Sequence, residues 1–225
     1  MDNRLYQKSI IIIALLLTPL AALRSKAQTQ QQWKDSLEVL KRQIDKTPYS
    51  TDLHLRKAAV NLQLKQWNYA IDEYRLVLEH EPNNLAALFY RAYANKNIRR
   101  YDMAYNDYTE LLKKVPEHFE ARLCLARLCQ LMKKQTEAID HLNRLVEHYP
   151  DSASAYVARA VMETDMKQFE PALYDWDEAI RLRPDELDYQ LSKWNLLVRM
   201  KRKKEAKLLR QELLRKGISG AVLHP

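Results

Sequence analysis

Residues 92–116, AYANKNIRRYDMAYNDYTELLKKVP, contain the four positions that decide the fold. The stretch begins with Ala92, has a second small residue at Ala104, places Tyr108 four residues later, and ends at Pro116. Most residues between these positions lose little on entering a helix, whereas the proline cannot continue one. The stretch therefore predicts two helices joined by a short turn and ended by the proline.

The same four positions recur along the chain at one constant interval, the separation between Ala70 and Ala104. The columns are Ala58, Ala92, Ala126 and Ala160; Ala70, Ala104, Ala138, Ala172 and Ala206; Tyr74, Tyr108, Leu142 and Trp176; and Pro48, Pro82, Pro116, Pro150 and Pro184. A fixed period of this length indicates a helical-repeat architecture. A small residue in each helix lets the pair approach closely, and a large residue behind it fills the remaining space.

The period, the alanine columns, the aromatic column and the closing proline resemble the tetratricopeptide repeat. The resemblance covers residues 51–184 as four full repeats. It implies an all-α fold, a right-handed superhelical solenoid of helix-turn-helix pairs with about 11 helices. One departure lies in the turn inside each repeat, where the family often has glycine and this chain has lysine or arginine.

The repeat boundaries divide the chain into segments. We predict a signal peptide at 1–27, an N-terminal capping helix (a half repeat) at 28–50, repeats at 51–84, 85–118, 119–152 and 153–186, a degenerate fifth repeat or C-terminal cap at 187–216, and a flexible tail at 217–225. Degenerate ends are expected in a solenoid, because a terminal repeat cannot present an apolar face to water.

The amino-terminal residues have the pattern of an export signal. Arg4 and Lys8 precede an apolar run at 10–23, which is shorter than the roughly 20 residues that span a bilayer. Small residues in Ser25–Ala27 then fit a signal-peptidase site, with Gln28 as the first mature residue. We therefore predict an exported protein, periplasmic or associated with the cell envelope. A retained amino-terminal anchor is the alternative interpretation.

The composition argues against most catalytic and cofactor sites. The chain has two glycines, Gly217 and Gly220, so no glycine-rich phosphate loop precedes them. Cys124 and Cys129 are five residues apart and point to different faces of one helix, which favours packed thiols over a disulfide or a metal site. We predict no enzymatic activity, no catalytic residue, no metal ligand and no cofactor, although an unrecognised Ser-His-Asp arrangement remains open.

The resemblance also implies a concave binding surface lined by the first helix of each repeat. Its fifth, ninth and thirteenth positions form the predicted groove: Leu55, Ala59, Phe89, Tyr93, Asn97, Leu123, Arg127, Leu131, Val157, Val161, Leu191, Asn195 and Arg199. This apolar groove suits an extended or helical apolar peptide. It lacks the lysine and asparagine that relatives use to hold a carboxy-terminal carboxylate. Packing of the apolar row against a neighbouring repeat is the alternative.

A second predicted surface, the basic edge, consists of the cations in the turns between paired helices. It contains Lys65, Arg99, Arg100, Lys133, Lys134, Lys167, Lys201 and Arg202. Such a surface could attract anionic lipid, glycan or an acidic partner by electrostatic attraction, which salt weakens. The simpler interpretation is that these exposed charges keep the protein soluble. The net charge is +8, yet the export signal and the lack of interleaved aromatic and basic residues disfavour nucleic acid. The partner predicted is a protein or peptide, and the sequence does not fix the oligomeric state.

Overall fold

The computed structural model describes residues 30–223, and within this range the chain forms eleven α-helices and no strand. In chain order they are α1 (Gln30–Lys46), α2 (Thr51–Gln63), α3 (Trp67–His80), α4 (Leu85–Asn97), α5 (Tyr101–Lys114), α6 (Phe119–Leu131), α7 (Gln135–His148), α8 (Ala153–Asp165), α9 (Phe169–Leu182), α10 (Leu187–Arg199) and α11 (Lys203–Arg215). The predicted all-α architecture of helix pairs is confirmed. The predicted signal peptide lies outside the described residues. Among residues 30–223, no helix combines the length and the apolar character needed to span a bilayer.

The helices keep the constant period of the sequence. The first helices of the pairs, α2, α4, α6, α8 and α10, contain 13 residues each, and their partners α3, α5, α7 and α9 contain 14. Each of these four partner helices ends two residues before a proline, because the residue preceding proline is disfavoured in helical geometry. The predicted division into repeats and caps stays a prediction, since helix bounds do not show which pairs fold as units.

Side chains that precede three of the first helices accept capping hydrogen bonds, including His118 Nδ1, which accepts from the Ala121 amide of α6 at 3.3 Å. Ser50 Oγ accepts a hydrogen bond from the Leu53 amide at 3.4 Å, and Asn84 Oδ1 accepts one from the Ala87 amide at 2.9 Å. These bonds satisfy amides that have no partner inside the helix. The second helices of the pairs have no side-chain cap bond. Their start is set instead by the turn that precedes them.

The same tight turn ends every first helix. In the α2–α3 turn, the Gln66 amide donates to the Asn61 carbonyl at 2.8 Å and the Lys65 amide donates to the Leu62 carbonyl at 3.0 Å. This pair of bonds is the Schellman motif, which needs a left-handed residue just after the helix. That position has a φ of 56° to 63° and is held by Lys65, Arg99, Lys133, Lys167 and Lys201, which we call the turn cations. The turn after α11 uses Gly217, with a φ of 90°.

The chain divides between Ala121 and Arg122 into two compact units. The alanine columns are buried in both: Ala58, Ala70, Ala92 and Ala104 in unit 1, and Ala126, Ala138, Ala160, Ala172 and Ala206 in unit 2. The large residues behind them are buried as well, with Tyr74 and Tyr108 in unit 1 and Leu142 and Trp176 in unit 2. Each unit therefore has the close helix crossings that its small residues predict.

The carboxy-terminal segment is packed, in contrast to the flexible tail predicted at 217–225. Leu223 is 0% exposed and belongs to the apolar core of unit 2 together with Trp194 and Leu213. Its carbonyl accepts a hydrogen bond from Arg210 Nε at 3.1 Å. The expectation of a loose tail is therefore wrong for Leu223, because the repeat pattern does not reveal that this leucine packs into the core; Ser219, Ala221 and Val222 are exposed.

Candidate partner-binding surface

A pocket of about 530 Å³ lies between α1 and α2 in unit 1, on the surface where the groove was predicted. Its lining residues are Trp33, Asp35, Ser36, Val39, Leu40, Arg56, Ala59, Val60 and Gln63. Leu40 and Val60 are buried at its base, whereas Val39 is 53% exposed. The pocket includes the predicted Ala59. It also includes Trp33 and Val39, which sequence reasoning missed because α1 was treated only as a cap.

Phe89 does not belong to an accessible groove, and its assignment to that surface is corrected. Its side chain is 2% exposed, meets the ring of Tyr108 edge-on at 5.6 Å, and stacks on His118 at 5.9 Å. Burial lowers the pKa of His118, which favours the neutral ring in this contact. Phe89 is therefore part of the core of unit 1, where a partner cannot reach it.

The other members of the predicted apolar row are half-buried. They are Leu55 in unit 1 and Leu123, Val157 and Leu191 in unit 2. Val157 and Leu191 pack against the core of unit 2, around Trp176 and Trp194. The apolar row therefore serves mainly to hold helices together inside each unit, as the alternative interpretation of the sequence proposed.

In unit 1, Tyr93 is an accessible aromatic residue of the predicted groove. It is 36% exposed, lies edge-on to Trp67 at 6.0 Å, and has Lys96 Nζ 4.9 Å from its ring centre. The side chain of Asn97 donates to the Tyr93 carbonyl at 2.8 Å, so this amide is already engaged. Tyr93 therefore presents a ring face with a cation beside it, a common anchor in protein interfaces.

In unit 2, the predicted groove residues form a mixed apolar and polar surface. Leu131 and Val161 are 54% and 46% exposed, and Arg127 and Asn195 are also exposed. Arg199 lies over the ring of Phe169 at 5.2 Å. This surface can contact apolar side chains and offers hydrogen-bond donors beside them.

The basic edge is exposed where the sequence places it, except that Arg202 is half-buried. Arg202 pairs with Glu205 at 2.7 Å and with Glu170 at 3.1 Å, and Lys134 lies 3.5 Å from Glu137. Within residues 30–223, the five turn cations form no ion pair. Their charge is therefore available to an external anion.

Buried ion pairs join the two helices of a repeat, with the same sequence separation between the partners in both units. Arg91 donates to Asp107 at 2.6 Å in unit 1, and Arg159 holds Asp175 in unit 2 through bonds of 2.7 and 2.8 Å. Burial raises the pKa of Asp107, and the bond from Arg91 opposes that rise. These pairs were not predicted from the sequence, although opposite charges that recur at a constant separation are a signal that could have found them.

Three metal-ligating side chains come together in unit 2. The ligand atoms of Cys129, Glu137 and His141 lie within 4.8 Å of one another. Burial raises the pKa of the Cys129 thiol to about 12, and burial together with Arg122 lowers the pKa of His141. Arg122 Nη1 lies 3.5 Å from His141 Nδ1, and Lys134 lies 3.5 Å from Glu137. These two cations would repel a metal ion, so the cluster fits packed polar side chains better than a metal site.

Helix pairs of constant length, packed on buried alanines and ended by proline, define an α-helical repeat protein. Residues 99–161 match the family described as tetratricopeptide repeat. The fold of the chain is a tetratricopeptide-repeat solenoid. The curated proteins contain no match to it.

Solved structures share this fold at low sequence identity. A tetratricopeptide repeat protein from Parabacteroides merdae has a TM-score of 0.70 and 19% identity, covering 98% of this chain and 81% of that one. MamA from Desulfovibrio magneticus has a TM-score of 0.65 and 22% identity, covering 73% and 93%. YrrB, described as a tetratricopeptide-repeat protein with an unusual peptide-binding site, has a TM-score of 0.63 and 13% identity, covering 83% and 96%.

Proposed function

We propose that this protein is a non-enzymatic interaction scaffold that binds an apolar peptide segment of a partner protein. The observation that carries the proposal is the pocket between α1 and α2, which has buried apolar residues at its base and an exposed apolar residue, Val39, at its side. Its volume of about 530 Å³ lies within the usual range for ligand sites. An apolar side chain of the peptide would enter this pocket.

Polar groups around the pocket suit a peptide. Arg56, Asp35 and Gln63 line it and supply hydrogen-bond donors and acceptors for a peptide backbone. Peptide recognition commonly combines such backbone contacts with apolar anchor pockets. The likeness to YrrB, whose description names a peptide-binding site, is consistent with this use of the fold.

The place of action belongs to the same proposal. The charged residues, the apolar run and the small residues of 1–27 support export, with the mature chain acting in the periplasm or at the cell envelope. A scaffold at that location would hold an apolar segment of an envelope protein.

Contact of the basic edge with an anionic lipid or glycan surface is a second candidate function. A specific observation favours it. All five turn cations occupy left-handed positions that glycine adopts at lower cost, and none is neutralised by an ion pair within residues 30–223. The side chains at these positions therefore contribute something other than backbone stability.

Peptide binding is tested with peptides selected from a displayed library against the mature chain. Ala59→Arg fills the pocket, so the affinity of the selected peptides should fall at least tenfold, measured by fluorescence anisotropy. Gln211→Arg places the same side chain at an exposed site on α11 and should change the affinity less than twofold. Circular dichroism should be unchanged in both variants. Selected peptides that bind wild type and Ala59→Arg equally would contradict the proposal.

A further inference from the structure

A second pocket lies in unit 2, where α10, α11 and the carboxy-terminal segment meet. Its volume is about 460 Å³. Trp194, Val198, Ala206 and Leu223 form its apolar walls. Trp194, Ala206 and Leu223 are buried members of the core of unit 2, so these walls are fixed by packing. The pocket is therefore a preformed apolar cavity.

Among the lining residues that lie within 30–223, four are cations and none is a carboxylate. They are Lys201, Lys203, Lys207 and Arg210. Within residues 30–223, none of the four forms an ion pair, and Arg210 donates its Nε to the Leu223 carbonyl. Unpaired cations around an apolar cavity favour a ligand that carries negative charge at one end.

Lys201 supplies an independent observation at the same site. Its φ is 59°, a left-handed conformation in which glycine would cost less. The Schellman turn after α10 requires only the backbone of this residue. Its side chain nevertheless places a cation at the pocket, which a glycine would not provide.

We propose that this pocket binds a single-chain anionic amphiphile, a long-chain fatty acid or a molecule of the same chemistry. The alkyl chain occupies the cavity against Trp194 and Val198, where it is removed from water. The carboxylate lies among Lys203, Lys207 and Arg210. The site uses residues different from those of the α1–α2 pocket, so this inference does not depend on peptide binding there.

The lining favours an alkyl chain over the carboxy terminus of a peptide. A bound peptide needs partners for its backbone amides and carbonyls, and side-chain amides often supply them. Within the described part of the chain, no asparagine or glutamine lines this pocket. An alkyl chain has no such groups to satisfy, so burial in the cavity leaves no polar atom without a partner.

Trp194 is one of four tryptophans, so the measurement uses a Trp33→Phe background, which removes the tryptophan of the α1–α2 pocket. The mature chain is titrated below the micelle concentration with a dibrominated stearic acid, whose bromine atoms quench tryptophan fluorescence on contact. We expect saturable quenching. The methyl ester of the same acid lacks the charge and should bind at least tenfold more weakly. Equal quenching by acid and ester would overturn the role of the cations.

Matched variants locate the site. Lys203→Gln with Lys207→Gln should raise the dissociation constant at least tenfold, whereas Lys204→Gln with Arg215→Gln, at α11 residues outside the pocket lining, should change it less than twofold. Val198→Phe fills the cavity and should abolish saturable quenching while circular dichroism stays unchanged. Unchanged acid binding in Val198→Phe, or binding of an apolar carboxy-terminal peptide without binding of the acid, would overturn the proposal.

Discussion

Glu163 is an acidic residue in an environment that disfavours its ionised form. It is buried on α8, and burial, reinforced by the nearby Asp175, raises its pKa to about 7. Arg159 opposes this rise but already donates two hydrogen bonds to Asp175. The Arg159 guanidinium therefore stabilises the ionised form of Asp175, and Glu163 keeps its proton to a higher pH than an exposed glutamate does.

This environment gives the stability of the protein a defined pH dependence. Between pH values of about 4.5 and 7, the unfolded chain loses the Glu163 proton while the folded chain keeps it, so the free energy of unfolding falls as pH rises. Glu163→Gln should remove this slope and stabilise the protein above pH 7, by on the order of 3 kcal/mol. Urea unfolding at pH 5 and pH 8 measures both effects. An equal pH slope in wild type and variant would contradict the assignment.

At the scale of the element, the Schellman turn combines a structural cost with an exposed charge. A residue with a Cβ is strained in the left-handed region by roughly 1 kcal/mol relative to glycine. The chain accepts this strain at all five turn cations, although Gly217 shows that glycine fits the same motif. The backbone and the charge of these turns can be separated by mutation.

Lys133→Gly should therefore raise the free energy of unfolding by about 0.5–1 kcal/mol, after allowance for the greater entropy of glycine in the unfolded chain. Lys133→Ala removes the same charge but keeps the Cβ, so it should not stabilise the protein. Urea denaturation distinguishes the two. Equal stability of the glycine and alanine variants would show that the turn carries no backbone strain.

The same substitutions test the second candidate function. Replacing all five turn cations with glycine should reduce binding to phosphatidylglycerol vesicles at low salt, while phosphatidylcholine vesicles serve as the neutral control. Binding by wild type should weaken with added salt, because exposed charges are screened over about 10 Å at 0.1 M. Vesicle binding that is unchanged by salt or by the five substitutions would argue against this function.

At the scale of the molecule, the repeat was predictable and the accessible surface was not. The short distance between two crossing helices requires a small residue where they meet. Ala104 and its equivalents could therefore be assigned to helix crossings from their spacing alone. Exposure depends on what packs above a residue, and Phe89 is covered by His118, a residue from the following inter-repeat turn. Leu223 similarly requires the end of α11 to be known before its burial can be inferred. The position of a residue within the repeat predicts which helix face it lies on, but it does not predict which residues pack over that face.

The proposed export predicts at which residue the mature protein begins. Amino-terminal sequencing of protein recovered from the envelope fraction should begin at Gln28, since the proposed signal peptide would be cleaved after the small residues of Ser25–Ala27. The purified chain should be lighter than its full-length translation product by the mass of the predicted signal peptide, as mass spectrometry will show. An intact Met1 in the membrane fraction would instead identify a retained anchor.

The constant helix lengths also constrain how this sequence can change its length over evolution. One added or lost residue inside a helix rotates everything after it by about 100° around the helix axis, because a turn holds about 3.6 residues. The alanines would then leave their crossings. Insertion or deletion of a complete helix pair with its turns avoids this displacement, so duplication or loss of an entire repeat is the length change that this architecture tolerates best.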